Sequence, residues 1–199
     1  PYHMCMPRIL GVELTGELTP GVSAKDIILQ VLRKLSVKGG VGRLLEYFGS
    51  GVSTLSVTQR ATIANMGAEL GATTSLFPSD QMSLDYLKRQ RRSEAYQPLA
   101  ADEDATYDEN LSIDLTALVP LIACPDSPDA VVSVSEVAGM PVDQVAVGSC
   151  TNSSFADLSE VATLLRGRTV HPSVTMVMSP GSRQVLQMIA RSGALPDIV

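Results

Sequence analysis

Apolar residues dominate Ile9–Leu14, then recur at Ile27, Ile28, Val31, Leu32 and Leu35 with the spacing of one helix face. The first run predicts a strand over residues 9–15 and the second an amphipathic helix. Thr19-Pro20-Gly21 turns the chain between them. Ser23 with Asp26 three residues on gives the helix a capping box, and Gly39-Gly40 ends it. Gly42–Phe48 reads as a second strand, followed by a loop through Gly49, Gly51 and Ser53. A helix over Ser56–Leu70 stops at Gly71. A shorter one, Ser83–Gln90, precedes the polar, acidic loop Ala101–Asn110. Leu111–Leu115 predicts a strand, and Pro120–Pro128 reads as a linker. Beyond it the pattern predicts a short helix at Ser133–Ala138, a strand at Gln144–Val147, a helix over Phe155–Leu165 and a strand at Ser173–Met178. A last helix runs to about Ser192, with Ser179-Pro180 at its start. Strand alternating with helix predicts an α/β layer fold, as one domain over 1–128 and the opening part of a second over 129–199.

Composition narrows the function classes. At 199 residues, with 45% hydrophobic and 18% charged, the chain is an ordinary globular polypeptide, long enough for one full core or two smaller ones. A net charge of −6 argues against a nucleic-acid surface, which needs clustered cations. The densest basic stretch, Lys88-Arg89-Gln90-Arg91-Arg92, suits the solvated end of a helix. No apolar run is long enough to span a bilayer. Cys5, Cys124 and Cys150 are odd in number and widely spaced, which is no disulfide framework and fits a reducing compartment, cytoplasm or mitochondrial matrix. His3 and His171 are far apart, so these residues alone build no complete metal site. The chain opens on Pro1-Tyr2 and stops at Ile198-Val199 as an apolar run begins, which predicts a piece of a longer polypeptide.

Three stretches can carry chemistry. Gly148-Ser149-Cys150-Thr151-Asn152-Ser153 lies between a strand and a helix, and in parallel sheets such turns at the carboxyl ends of strands build sites. Backbone N–H groups at a helix start favour an anion, and a thiolate there can serve as nucleophile or metal ligand. A nucleophile needs a base, for which only His3 and His171 are available. The plainer alternative is a capping loop, with Asn152 or Ser153 as the cap. Asn65 and Glu69 stand at i and i+4 on a helix of small and apolar residues. An amide beside a carboxylate can orient a hydroxyl and exchange its proton, or simply be the wet face of the helix. Ser179-Pro180-Gly181-Ser182 is a second strand-to-helix turn. It opens onto the same edge as the Cys150 turn if the two strands are parallel neighbours. The glycines at 39–42 and 49–51 match no phosphate-binding template.

Together these stretches resemble the aconitase superfamily of iron–sulfur hydro-lyases. Residues 148–153 look like the family's GSCTNS segment, and Glu46–Asp80 (EYFGSGVSTLSVTQRATIANMGAELGATTSLFPSD) is similar over its whole length to the family's EY.GPGV…ATI.NMGAE.GATTS.FP stretch. Leu14-Thr15-Gly16, Ala24–Leu29, Val37–Gly40 and Pro180-Gly181-Ser182 match as well. The resemblance implies an aconitase-like α/β fold, with residues 1–128 as the family's second domain and 129–199 as the start of the cluster-bearing one. It implies Cys150 as a ligand of a [4Fe–4S] cluster, with Asn65 and Asn152 near the cluster. Glu69 is implied as a catalytic residue beside the substrate hydroxyl. The implied reaction interconverts the tricarboxylic acids citrate and isocitrate through cis-aconitate, the reaction of aconitate hydratase. Asn65–Thr74, NMGAELGATT, favours that type over the isopropylmalate dehydratase large subunit, whose helix looks more like NMSIEAGAR. Homoaconitase and a cluster-free, RNA-binding or regulatory relative are the alternatives. The family's other two cluster cysteines form a CxxC downstream of GSCTNS, and no CxxC stands in this sequence. The remainder of the polypeptide is thus the expected partner, and the piece by itself is expected to be without cluster and inactive.

Overall fold

The computed structural model describes residues 5–198, which divide into two compact units with the boundary between Ala138 and Gly139. The first unit is built on a fully parallel sheet of β1 (Arg8–Thr15), β2 (Arg43–Phe48), β3 (Thr74–Leu76) and β4 (Glu109–Asp114), in the order β3-β2-β1-β4. Leu10, Val12 and Leu14 alternate along β1 onto one buried face, where Leu45 and Tyr47 of β2 join them. α1 (Ala24–Leu35) lays Ile27, Ile28, Val31 and Leu32 against this layer. Its cap is the predicted one: Asp26 Oδ2 accepts from the Ser23 backbone N–H at 2.7 Å and from its hydroxyl at 2.9 Å. The same carboxylate accepts the Leu121 N–H at 2.6 Å through Oδ1, tying α1 to a segment 95 residues away.

That tie explains one departure from the sequence reading. Pro120–Pro128 is not a plain linker, because Leu121–Ala123 forms β5 and pairs antiparallel with β6 (Val131–Ser133). The ribbon packs on α1, with Leu121 and Val131 in the first unit's core, and carries that unit past residue 128 to Ala138. The predicted helix at Ser133–Ala138 is a 3₁₀ turn over Val134–Val137, capped by Ser133 with Glu136. β3, unpredicted, joins the sheet edge with only three residues. α3 (Gln81–Arg89) covers the predicted short helix and buries no residue.

The second unit holds two parallel strands, β7 (Gln144–Val147) and β8 (Thr175–Met178), and two helices, α4 (Phe155–Leu165) and α5 (Arg183–Ser192). Leu158, Ala162 and Ile189 bury between the helices, with Val147 and Met178 packed beneath. α5 is not capped by Ser179-Pro180. Ser182 takes that place, its hydroxyl accepting the Val185 N–H at 3.1 Å, and Pro180 stays in the turn outside the helix.

Candidate functional site

In the first unit the sequence-predicted pair sits on α2 (Val57–Met66) and the turn that follows it. α2 starts at a capping box in which Ser56 N–H donates to Gln59 Oε1 at 2.8 Å and Gln59 N–H to Ser56 Oγ at 3.3 Å. The helix does not run to Leu70. It ends at Met66 and tightens into a 3₁₀ turn over Gly67–Leu70, closed by Gly71 at φ +72°. Asn65 therefore lies in the last α-helical turn and Glu69 in the 3₁₀ turn. Both are exposed, on one face with Ala61 and Ala68, while Ile63, Gly67 and Leu70 turn inward. The shared face holds despite the change of helix type, and its alanines leave Glu69 open on that side.

The first residue of that turn, Gly67, stands close against β3. A Cβ on Gly67 would lie 2.7 Å from the Ser75 hydroxyl of β3, so only glycine lets the chain press onto the strand there. Ser75 Oγ is itself buried without a hydrogen-bond partner, as is the hydroxyl of Tyr47, whose phenol burial pushes far up. Gly67→Ala is expected to cost about 1–3 kcal/mol by overpacking. Adding Ser75→Ala removes the clashing, unsatisfied oxygen and restores most of that loss in a double-mutant cycle by urea unfolding. Equal losses in the single and double variants would contradict the contact.

Arg60, which sequence reasoning missed, anchors α2 from inside. It is 4% exposed, yet every arm of its guanidinium is engaged. Nε donates to the Leu55 carbonyl at 3.1 Å, Nη1 to Pro78 O at 3.0 Å and Nη2 to Val52 O at 2.9 Å. A fork to Asp80 completes the set, Nη1 to Oδ1 at 3.0 Å and Nη2 to Oδ2 at 2.6 Å. The loop after β2, the loop after β3 and the helix bearing Asn65 are thereby joined at one side chain. Asp80 also caps α3 through Ser83 N–H at 3.2 Å. Burial raises its carboxyl, but the hydrogen bond from Arg60, those from the Ser83 and Met82 N–H groups, and the guanidinium charge together hold it below the ordinary range.

Removing Asp80 leaves a cation buried among carbonyls. Asp80→Ala is expected to destabilise the first unit by about 3 kcal/mol, the low end for a broken buried pair, because the Asp80 side chain is 28% exposed. The pH dependence follows the same pair. A carboxyl lowered by folding stabilises fully above its unfolded pKa of about 4, and the gain is lost as pH falls through the folded value. Urea midpoints between pH 7 and pH 2 measure both effects. A variant within about 1 kcal/mol of the parent chain, falling as steeply in acid, would contradict this account.

In the second unit the two predicted turns do meet. β7 and β8 are parallel neighbours with Val147 opposite Met178, so residues 148–154 and 179–182 leave the same carboxyl edge. Ser179 N–H donates to Val147 O at 2.8 Å and Gly181 N–H to Ser153 O at 3.1 Å. Cys150 is exposed at this edge and Asn152 half-buried beside it. Neither Asn152 nor Ser153 caps α4. Ser154 does, accepting Asp157 N–H at 3.2 Å while Asp157 Oδ2 accepts Ser154 N–H at 2.9 Å. His171 precedes β8 at the opposite, amino edge, its Nδ1 2.8 Å from the Ser173 hydroxyl, which removes it as a base for Cys150. His3 lies outside the described residues.

The donor set decides what metal chemistry this chain can hold. Cys150 fits one ligand position of an iron–sulfur cluster, a soft thiolate donor exposed on a fixed turn. Among the described residues there is no group of three or more His, Cys, Asp or Glu that could hold a metal ion. The described residues thus offer one donor for a corner of a cluster. Asn65 and Glu69 belong to the first unit, and Cys150 and Asn152 to the second.

Known proteins resemble the chain over nearly its whole length. A family model described as "Aconitase family (aconitate hydratase)" matches residues 1–198. The chain is 42% identical to the mitochondrial aconitate hydratase of Candida albicans, over 98% of this chain and 28% of that protein. It is 40% identical to the 3-isopropylmalate dehydratase large subunit 2 of Rubrobacter xylanophilus, over 98% of this chain and 46% of that subunit. The mitochondrial homocitrate dehydratase of Saccharomyces cerevisiae is 39% identical, over 98% of this chain and 27% of that enzyme. The chain therefore spans less than half the length of the curated relatives it matches. Among the described residues no helix is long and apolar enough to cross a membrane.

Proposed function

The chain belongs to the aconitase family, whose members are hydro-lyases, and on that premise we propose that it forms part of an enzyme that dehydrates and rehydrates a hydroxy-polycarboxylic acid. The substrate we infer is citrate or isocitrate, interconverted through cis-aconitate. The supporting observation is the exposed Asn65/Glu69 face on a helix fixed by Arg60 at one end and by Gly67 at the other. In this reading Glu69 gives a proton to the departing hydroxyl, so that it leaves as water, while a base in the remainder of the polypeptide takes the proton of the adjacent carbon and that C–H electron pair forms the double bond; rehydration reverses each transfer. The Asn65 amide orients that hydroxyl. Cys150 supplies one thiolate to a [4Fe–4S] cluster completed by the remainder of the polypeptide, with Asn152 beside it. When bound, the cluster supplies a Lewis acid that polarises the leaving oxygen. We place the enzyme in a reducing compartment, cytoplasm or mitochondrial matrix.

A second reading has an observation of its own. The alignment with the Candida aconitate hydratase runs over 214 residues, longer than this chain, whereas that with the Rubrobacter large subunit runs over 194. The aconitate hydratase carries insertions that this chain lacks, which favours an isopropylmalate dehydratase large subunit. Against it stands the helix sequence NMGAELGATT. A substrate panel separates the two: the whole protein, assayed by alkene absorbance, is expected to convert cis-aconitate with a kcat/KM at least about 100-fold above that for isopropylmaleate, a ratio within reach of differential transition-state binding. The inverse ratio would assign the dehydratase.

A further inference from the structure

We propose that Ser153 and Gly181 are positioning residues for Cys150, locking its turn so that the thiol is presented in one place before any cluster binds. The inference rests on the reading of Cys150 as a cluster ligand. The turn departs from ordinary backbone just before the cysteine, where Ser149 has φ +65°, a left-handed conformation disfavoured for a residue with a Cβ. Such a conformation persists only where its surroundings hold it. Here they do so from below. Ser153 is 7% exposed, and its hydroxyl donates to the Ser149 carbonyl in a short hydrogen bond, closing the turn across Cys150. The Ser153 carbonyl in turn accepts the Gly181 N–H at 3.1 Å, so the second turn holds the first.

Glycine is required at both contacts. A Cβ on Gly181 would run into the Ser153 hydroxyl, and one on Gly148 would lie 2.8 Å from Ser179 Cβ and 2.9 Å from Ser179 O. The polar closure is thus buried beneath the turn while Cys150 stays exposed above it. A ligand held in this way loses little freedom when it binds, and outer contacts that orient a metal ligand are worth about 10–100-fold in affinity.

The test uses Ser153→Ala and Gly181→Ala with two readouts. In the chain, amide hydrogen exchange at residues 149–153 is expected to quicken at least tenfold in both variants, with the amides of β7 and β8 unchanged. In the whole protein reconstituted with iron and sulfide, release of iron to a chelator is expected to quicken about tenfold or more. Exchange or iron release at the unsubstituted rate, where Cys150→Ala abolishes the cluster, overturns the positioning role and leaves the ligand reading intact. Loss of protection in β7 and β8 as well makes the two residues general supports of the unit and also overturns it. Full iron retention in Cys150→Ala overturns the ligand reading itself.

Discussion

In the whole protein, Glu69→Gln is expected to lower kcat for hydration of cis-aconitate by about 10²–10⁴-fold, the usual contribution of a positioned general acid–base group. The substitution keeps the size and most of the hydrogen-bonding capacity of the side chain and removes only the exchangeable proton. Glu69 is exposed, in a turn whose inward residues are Gly67 and Leu70, so folding has little stake in its charge. KM is therefore expected to stay within a few-fold and the unfolding temperature within a degree or two, since surface changes of this kind stay within about 0.5 kcal/mol. A variant that turns over at the original rate would remove Glu69 from the chemistry and leave the face as solvated helix. A variant that loses stability as well would instead make Glu69 a fold residue, which its exposure contradicts.

The sequence carried the local parts of this structure and missed the long-range ones. α1 was legible because its cap and its apolar stripe both lie within Ser23–Leu35, although the helix stops at Ser36, at φ +65°, and not at the predicted Gly39-Gly40. The Cys150 turn was legible for a similar reason: Gln144–Val147 and Phe155–Leu165 change from strand to helix patterning on either side of it. β3 was missed because Thr74-Ser75-Leu76 has no apolar run, and its place is set by β2, with Thr73 N–H donating to Arg43 O at 2.8 Å. β5 was hidden by the prolines around it, and its first N–H is held by Asp26, far upstream.

The site divides in the same way. The spacing of Asn65 and Glu69 predicts their shared face, but neither the shift to a 3₁₀ turn nor the close approach of Gly67 to Ser75. Arg60 left one signal. It lies on the inward stripe with Ile63, Gly67 and Leu70, where a lone arginine demands a buried acceptor. Nothing local names Asp80, 20 residues on, as that acceptor. The cap of α4 was misread for a different reason, since Asn152, Ser153 and Ser154 are all good caps and only the capping box with Asp157 distinguishes Ser154.

The central claim is that this chain contributes Cys150 to an iron–sulfur centre, and iron content tests it most directly. Cys150 is exposed and outside the second unit's core, so Cys150→Ala is expected to keep the unit folded while removing the sulfur. The measurement is iron per polypeptide, with the broad visible absorption of a [4Fe–4S] cluster, in the whole protein and its Cys150→Ala variant after identical reconstitution with iron and sulfide. The account predicts a stoichiometric cluster in the first and loss of both signals, with hydratase activity, in the second. Equal iron and absorption in the two proteins would contradict it.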